Sequence, residues 1–356
     1  MWNRIVVTAL ALSAPAAAQQ RSVLVVGSVS AAAGKAESGF IQVAPDADIP
    51  VTVINGTKPG PTLALVAGIH GYEYSPILAL QRLRGDIAPQ GLAGAVILVH
   101  AANVPSLLGR TIYYGPEDQK NLNRVFPGSP SGTLSERIAH ALTTQVIEKA
   151  DYLIDLHCGD GNESLRPYSY WMRTGKPDVD EKSRRMAVAF GLDHIVIDDE
   201  RPRDPARSMY CSNTAATRGK PAITVESGGV GLVPLGLHAA DDAILALENG
   251  VQRILRHLEM IAAARRPDSR PTWIVRNAVL RSEATGLFYA EVRKDQSVGP
   301  GQLIGTVTDF FGKKLFEARA PFAGKVLYVI ATPPIRSGEP LAMIGAPGEP
   351  PAGGNN

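Results

Sequence analysis

Residues 62–73 read TLALVAGIHGYE and residues 152–157 read YLIDLH, and these two stretches decide the fold. Each begins with consecutive apolar residues, as a strand that is buried on both faces of a sheet requires. Each apolar run leads directly into residues that can do chemistry, His70 in the first stretch and His157 in the second. Ligands bind at the carboxyl ends of strands in open α/β sheets, so this pattern predicts both a fold class and the place of a site.

Similar segments surround these two stretches. Residues 95–100 and 222–225 are further buried-strand runs, and residues 133–136 form a capping box that opens an amphipathic helix. Ser75 followed by Pro76 is predicted to start another helix, with serine as the N-cap. The alternation of strands and helices predicts an α/β domain over residues 22–264.

The composition changes after this domain. Residues 265–272 are rich in Arg and Pro and are predicted to form a linker. Short β-rich segments separated by glycines fill residues 273–345, which is typical of a small all-β barrel or sandwich. Residues 346–356 are rich in Pro, Gly and Asn, and we expect a disordered tail there.

The amino terminus resembles an export signal. A basic Arg4, an apolar run and three alanines ending at Ala18 predict a signal peptide over residues 1–18. The mature protein is therefore expected to be periplasmic or secreted and to have no membrane span, because no later apolar run is long enough. In an oxidising compartment Cys158 and Cys211 could pair or could remain buried thiols, and the sequence leaves both possibilities open.

The overall composition excludes several classes of protein. The 356 residues include 36 Lys and Arg and 34 Asp and Glu, and so nearly neutral a chain is not expected to bind nucleic acid. Two cysteines are too few for a disulfide framework or a multi-cysteine zinc module. Any metal site must therefore be built from histidines and acidic residues.

The strand ends supply such a site. His70, Glu73 and His157 form the ligand set of hydrolytic zinc sites, which keep a fourth position open for water, so one Zn²⁺ per chain is expected. Asp155 lies two residues before His157, on the same face of the strand, where it could orient the imidazole from behind. Glu226 follows the run at residues 222–225 and is the candidate general base that takes a proton from a zinc-bound water.

Each of these motifs also has an ordinary interpretation when it stands alone. A His-x-x-Glu pair is common in solvated helix turns, and an Asp-x-His pair often makes only a structural hydrogen bond. Three such strand ends in one domain favour a catalytic site. His100 also follows a buried strand but has no acidic residue near it in sequence, so it is interpreted as structural.

Several polar residues are candidates for binding substrate. Asn123 and Arg124 offer an amide and a guanidinium in adjacent positions, which suits a substrate carboxylate. Arg110 and Arg218 are candidates for stabilising an oxyanion or a second carboxylate, and the sequence does not decide between them. For any single arginine the ordinary alternative is a surface ion pair.

Four motifs in this order resemble the succinylglutamate desuccinylase/aspartoacylase family of zinc carboxypeptidase-like (M14) hydrolases. They are GIHGYE around His70, NLNRVFP around Asn123, DLH ending at His157 and TVESGG around Glu226. The resemblance implies a mixed sheet with helices on both faces and a small C-terminal domain similar to barrel-sandwich hybrids. It also implies that His70, Glu73 and His157 bind zinc, that Glu226 is the general base, and that Asn123 and Arg124 bind a substrate carboxylate.

The resemblance implies a deacylase that cleaves the amide bond of a small N-acyl amino acid or a similar carboxylate-bearing substrate. One alternative is a zinc carboxypeptidase that acts on peptides or cell-wall fragments. A second alternative is a non-catalytic ligand-binding protein of the same fold. The export signal and Asn121 depart from the pattern of the family, so the resemblance does not fix the acyl group or the amine of the substrate. The sequence does not give the oligomeric state.

Overall fold

The computed structural model describes residues 21–230, 241–262 and 270–350. The predicted signal peptide at residues 1–18 lies outside these ranges, as do most of the predicted linker and the last part of the predicted tail. Within the described ranges, no helix is both long enough and apolar enough to cross a membrane.

The first part of the chain provides most of the central sheet. Its strands are β1 (Leu24–Val26), β2 (Val29–Ala31), β3 (Lys35–Ile41), β4 (Ile49–Asn55), β5 (Lys58–Ala67), β6 (Ala93–Val99), β7 (Tyr152–His157), β8 (Glu163–Leu165), β9 (Tyr168–Met172), β10 (His194–Asp198) and β11 (Ala222–Glu226). The apolar runs that the sequence assigned to strands form the buried parts of β5, β6, β7 and β11, so those predictions are confirmed.

The helices of the described residues connect these strands. They are α1 (Tyr74–Asp86), α2 (Val104–Gly109), α3 (Leu134–Leu142), α4 (Pro177–Phe190), α5 (Cys211–Thr217) and α6 (Asp241–His257). The capping box of Thr133 and Glu136 opens α3, as the sequence predicts. The start of α1 differs from the prediction, because the helix begins at Tyr74 with Glu73 in the N-cap position rather than at Pro76.

The central sheet is mixed. From one edge its strands run in the order β3, β4, β6, β5, β7, β11, β9 and β10. The pairs β6–β5, β5–β7 and β7–β11 are parallel, whereas β4–β6 and β11–β9 are antiparallel. Three parallel strands, β5, β7 and β11, therefore end side by side at one edge.

Helices cover both faces of this sheet, and each face has its own apolar core. On one face, α1, α4 and α6 pack against the sheet through residues such as Leu80, Phe190 and Leu247. On the other face, α3 and α5 pack through residues such as Ile138 and Ala215. Burial of the parallel strands from both sides explains their uninterrupted apolar sequences.

The C-terminal region is all β, as predicted, but its strands are divided between two sheets. They are β12 (Thr272–Arg281), β13 (Gly286–Ala290), β14 (Ser297–Val298), β15 (Leu303–Thr308), β16 (Lys314–Arg319), β17 (Gly324–Ile330), β18 (Pro334–Ile335) and β19 (Pro340–Gly348). β12 pairs in parallel with β10, and β19, β17 and β14 continue the central sheet beyond it. The remaining strands form a four-stranded sheet in the order β16, β15, β13 and β18.

Two contacts of this region correct or extend the sequence analysis. The predicted disordered tail begins too early, because β19 continues to Gly348 and pairs with β12, where Trp273 is in register with Gly348. Strand β12 provides hydrogen-bond partners for the backbone of residues 346–348, and composition alone does not reveal this pairing. In addition, β17 pairs with β8, so that Ile330 lies opposite Glu163 close to the edge where the parallel strands end.

Candidate metal centre and active site

Histidine and glutamate side chains lie at or just after the ends of three neighbouring strands, at one edge of the central sheet. In β5 and β7, Ala67 is in register with Leu156, and in β11 and β7, Glu226 is in register with His157. His70 and Glu73 follow β5 in the turn that leads into α1. The structure therefore brings the strand-end motifs of the sequence together.

His70, Glu73 and His157 form a compact group. Glu73 Oε1 lies 2.7 Å from His70 Nδ1, and Glu73 Oε2 lies 2.8 Å from His157 Nδ1. One potential ligand atom from each of the three residues lies within 4.8 Å of the others. Glu73 and His157 are buried, so their charges are poorly screened by water.

The amide of Asn121 determines the role of one ring nitrogen of His70. Asn121 Oδ1 accepts a hydrogen bond from the backbone nitrogen of Asn123 at 2.9 Å, which sets the orientation of the amide. The same oxygen lies 3.1 Å from His70 Nε2, so Nε2 is the donor. The other ring nitrogen, Nδ1, faces Glu73 Oε1, so it either carries a proton that it donates to this carboxylate or binds a cation together with it.

The electrostatics of the group favour positive charge at its centre. Burial opposes protonation of His157, but the carboxylates of Asp155 and Glu73 outweigh burial and raise the pKa of His157 well above its usual value. Glu73 likewise raises the pKa of His70 against the effect of burial. Burial alone would raise the pKa of Glu73, yet the two histidines lower it to about 2. Protons can supply this positive charge, and so can a divalent cation.

The donor set fits a metal ion. Glu73 Oε2 is buried, and its partner among the described residues is His157 Nδ1, which is itself a candidate ligand atom, so both atoms can bind the same ion. Two imidazole nitrogens and one carboxylate oxygen are typical ligands of hydrolytic zinc sites. Calcium and magnesium prefer oxygen ligands, which this group supplies from only one residue.

Two side chains hold His157 from behind. His157 Nε2 lies 3.0 Å from Asp155 Oδ1 and 3.2 Å from Asn123 Nδ2. Asp155 is fully buried and shares the face of β7 from which His157 projects. A carboxylate in this position orients a ligand imidazole and increases its basicity.

The predicted role of Asn123 in binding substrate stays a prediction, and the structure gives its side chain partners within the protein. Its side chain is buried, and its Oδ1 accepts a hydrogen bond from the backbone nitrogen of Cys211 at 2.8 Å while its Nδ2 faces His157. The oxygen of the amide therefore has a donor within the protein, and its nitrogen lies against the His157 ring. Asn123 connects His157 to the start of α5.

Glu226 stands at the end of β11 beside His157. The parallel register places the two side chains on the same face of the sheet, and Glu226 is half-buried. Burial raises the pKa of Glu226 well above its usual value, and the carboxylates of Glu73 and Glu163 raise it further, against the opposing effect of His157. The place of this carboxylate beside His157 is that of a general base.

A second acidic group lies beside the candidate metal ligands, and the sequence did not single it out. The hydroxyl of Tyr113 donates to Glu163 Oε1 at 2.6 Å, and its backbone nitrogen donates to Asp160 Oδ2 at 3.2 Å. The Tyr113 ring lies edge-on to His70. Burial is the largest cause that raises the pKa of Asp160 to about 6 and that of Glu163 to about 8. Their closeness to His157 in sequence was the available signal.

Arg124 lies near the site, and its guanidinium group can bind an anion. Its side chain is exposed, its guanidinium carbon lies 4.6 Å from the centroid of the Tyr210 ring, and its Nη1 donates to the backbone oxygen of Asn123 at 2.7 Å. It has no acidic partner among the described residues. Arg110 is exposed at the carboxyl end of α2, and its role in stabilising an oxyanion stays a prediction.

The structure does not bring Arg218 to the site, which corrects the sequence analysis. α5 begins beside Asn123 at Cys211, whereas Arg218 follows the last residue of this helix. A helix of 7 residues is about 10 Å long, so Arg218 lies at its far end. There its Nη1 donates to the backbone oxygens of Pro205 and Thr214.

The turn between His70 and Glu73 depends on Gly71. A Cβ atom at Gly71 would lie 2.0 Å from the carbonyl carbon of Ser106, a backbone atom of α2 that cannot rotate away. We expect Gly71→Ala to displace the turn and to lower the affinity for zinc by about tenfold or more, because ligand geometry is disturbed. Competition with a chromogenic chelator measures this affinity.

Gly85→Ala is the matched control for this variant. Gly85 lies in α1, and nothing lies within 4 Å of a Cβ atom added there. The control should bind zinc like the wild type and should be more stable by about 1 kcal/mol, the usual difference between Gly and Ala within a helix. Wild-type zinc affinity in Gly71→Ala would mean that the tight contact does not position the ligands.

Asp155→Asn tests the support of His157. Loss of the carboxylate should lower the affinity for zinc by about 10- to 100-fold, as is usual when the partner of a ligand imidazole is removed. The same chelator competition measures this effect. Asp151→Asn, just before the first residue of β7, should leave zinc affinity unchanged. Equal losses in the two variants would assign the effect to general destabilisation of the strand.

Comparison with known proteins identifies similar chains. The sequence model of the Succinylglutamate desuccinylase/Aspartoacylase catalytic domain matches residues 59–258, which include His70, Glu73, His157 and Glu226. A curated relative, the N-alpha-acetyl-L-2,4-diaminobutyric acid deacetylase of Halomonas elongata, is 28% identical over 342 residues, which cover 92% of this chain and 96% of the relative.

Solved structures share the fold over most of their length. The product-bound ectoine utilization protein EutE (DoeB) from Ruegeria pomeroyi is 26% identical, with a TM-score of 0.75 over 87% of this chain and 95% of that chain. A succinylglutamate desuccinylase from a Silicibacter species is 25% identical, with a TM-score of 0.76 over 92% of this chain and 98% of that chain. These likenesses confirm the expected fold, a mixed-sheet catalytic region with helices on both faces and a C-terminal β region.

Proposed function

Because the chain belongs to the succinylglutamate desuccinylase/aspartoacylase family, we propose that it is a zinc-dependent deacylase that cleaves the amide bond of an N-acyl amino acid. One observation carries the proposal. A His–Glu–His group whose ligand atoms lie within 4.8 Å of one another stands beside Glu226, which is in register with His157 on the neighbouring strand. This arrangement places a half-buried carboxylate next to a group that can hold a metal ion.

The roles of the residues follow from their positions. His70, Glu73 and His157 would hold zinc, whose Lewis acidity lowers the pKa of a water molecule and polarises a carbonyl group. Glu226 accepts the proton of the attacking water at its carboxylate and returns it to the leaving amine. Arg110 is the proposed donor to the negative charge that develops on the carbonyl oxygen.

The proposed substrate is a small molecule with a free carboxylate. Arg124 supports this proposal, since its exposed guanidinium has no acidic partner among the described residues and can bind a carboxylate bidentately. The curated relative is named for N-alpha-acetyl-L-2,4-diaminobutyric acid, which carries a second amino group. Asp160 and Glu163 are acidic groups beside the proposed centre, where they can bind an amino group. N-alpha-acetyl-L-2,4-diaminobutyric acid is therefore the first compound to test.

A panel of compounds tests the proposal. The purified protein is assayed for zinc and for hydrolysis of N-acetyl and N-succinyl amino acids and of short peptides. We expect zinc in the protein and hydrolysis of at least one N-acyl amino acid. Hydrolysis of peptides alone would favour a carboxypeptidase, and a zinc-free protein that binds ligand without turnover would favour a binding protein. Either result would contradict the proposal.

Export is proposed separately. The pattern at residues 1–18 supports cleavage after Ala18 and a periplasmic or secreted location. Cell fractionation and amino-terminal sequencing test this proposal. An intact amino terminus on cytoplasmic protein would contradict it, without affecting the proposed chemistry.

A further inference from the structure

A second arginine, Arg201, is connected to the strand that carries the proposed base. Its Nε donates to Asp198 Oδ2 at 2.7 Å, and its Nη1 donates to Ser212 Oγ at 3.2 Å. Ser212 Oγ lies 2.7 Å from Thr224 Oγ1. Thr224 lies two residues before Glu226 on β11, so the two side chains project from the same face of the sheet. Arg201 therefore lies on the face of the sheet that carries the proposed active site.

The sheet register relates the surroundings of Arg201 to the position of Glu226. Thr224 pairs with Tyr170 on one side and with Asp155 on the other. The guanidinium carbon of Arg201 lies 5.4 Å from the centroid of the Tyr170 ring. Thr224, Tyr170 and Asp155 form one row of residues across the sheet, and Glu226 lies two residues further along β11. Two residues correspond to about 7 Å along a strand. An amino acid whose acyl bond lies at Glu226 can span such a distance.

Arg201 and Arg124 lie against the same aromatic ring. Their guanidinium carbons are 4.3 Å and 4.6 Å from the centroid of Tyr210, the residue that precedes α5. Aromatic rings attract guanidinium groups, and this ring therefore helps to hold both cations in place. The two arginines come from different loops, one before α3 and one after β10, and Tyr210 brings them to one subsite.

The charges of this subsite do not balance within the protein. Asp198 compensates one of the two arginines, whereas Arg124 has no acidic partner among the described residues. Arg201 Nη2 makes no hydrogen bond to any residue that the structure describes, so it can donate to a ligand. Two guanidinium groups with free donors are well suited to a carboxylate, which accepts from both.

We propose that Arg201 is a specificity-determining residue that, together with Arg124, binds the carboxylate of the substrate. The inference rests on the proposed deacylase function and deepens it. The substrates are N-acyl amino acids with a free carboxylate. The corresponding carboxamides are rejected because they leave Arg124 without a counter-ion and give Arg201 no anionic acceptor. Arg201 would thus supply the second guanidinium of this subsite.

Kinetics with matched substrates test the inference. Arg201→Gln should raise the KM of an N-acetyl amino acid by about 10- to 100-fold, since a charge-assisted hydrogen bond contributes about 1.5–3 kcal/mol and 1.4 kcal/mol is tenfold. The kcat of this substrate and the kcat/KM of its carboxamide should change by less than about threefold. If the kcat/KM values of acid and carboxamide fell equally, Arg201 would only support the fold.

Two further variants control the experiment. Arg201→Lys keeps the charge that pairs with Asp198, so it should fold, and its KM should lie between those of the wild type and Arg201→Gln. Arg173→Gln removes a similar arginine that pairs with Asp199 and lies 5.8 Å from the centroid of Trp171. This control should leave the preference for the carboxylate unchanged. If Arg173→Gln lost the preference for the carboxylate, a specific role for Arg201 would be contradicted.

A binding measurement separates this inference from the proposed function. Calorimetry with L-2,4-diaminobutyrate and its carboxamide requires no hydrolysis. The wild type should bind the carboxylate at least about tenfold more tightly than the carboxamide, and Arg201→Gln should lose this preference. A wild type without preference, or an Arg201→Gln variant that keeps it, would overturn the inference even in an active deacylase. Absence of hydrolysis with the binding preference intact would instead overturn only the proposed function.

Discussion

Glu226→Gln is expected to lower kcat by about 10²- to 10⁴-fold, the usual contribution of a positioned general base. Glutamine has nearly the same shape as glutamate but cannot accept the proton of the attacking water. Glu226 stands beside His157 in the sheet register but does not belong to the group whose ligand atoms converge, so the zinc content should not change. Steady-state kinetics and elemental analysis of the same preparation measure both quantities.

Glu226→Asp is the matched control for this prediction. It keeps a carboxylate but withdraws it by one methylene group, so its activity should lie between those of the wild type and Glu226→Gln. Wild-type turnover by Glu226→Gln would show that another group takes the proton. Loss of zinc in Glu226→Gln would instead place Glu226 among the metal ligands.

His157→Ala is expected to lose most of its zinc and to lower kcat/KM by about a thousandfold or more, since metal assistance is worth several kcal/mol. The variant removes one of three ligands and leaves the buried carboxylates of Asp155 and Glu73 without their shared partner. We therefore also expect a lower melting temperature. Elemental analysis after dialysis gives the zinc content, and circular dichroism reports whether the fold is retained.

His100→Ala is a close control for this variant. His100 also follows a buried strand of the central sheet, and its Nε2 lies 2.8 Å from Thr52 Oγ1. Burial lowers the pKa of His100 to about 4, which is the opposite direction to His157. The control should keep its zinc and its activity. If the two variants lost zinc equally, the metal would not be bound at the strand ends.

The sequence predicted the centre of the site because its signals are local. Uninterrupted apolar runs identify β5, β7 and β11, and His70, His157 and Glu226 stand at or just after the ends of these strands. The carboxyl ends of neighbouring parallel strands meet at one edge, so only the order of the strands remained to be found.

The surroundings of the site could not be predicted in this way. Glu163 lies on a short strand that pairs with β17 from the C-terminal region, a contact between residues far apart in sequence. Arg201 and Tyr210 come from loops whose course follows no periodic pattern. The sequence did not exclude Arg218 because a short buried helix does not reveal which of its ends faces the sheet edge. Such features depend on packing between distant segments rather than on local sequence.

The central claim is that hydrolysis depends on zinc held by His70, Glu73 and His157. Hydrolysis of an N-acyl amino acid is measured as zinc is removed with a chelator and then restored, with the metal content determined at each step. We expect activity to fall with the zinc content and to return in proportion to it, up to about one ion per chain. Protein that is free of zinc and of other metals by elemental analysis, yet hydrolyses the substrate at the original rate, would contradict it.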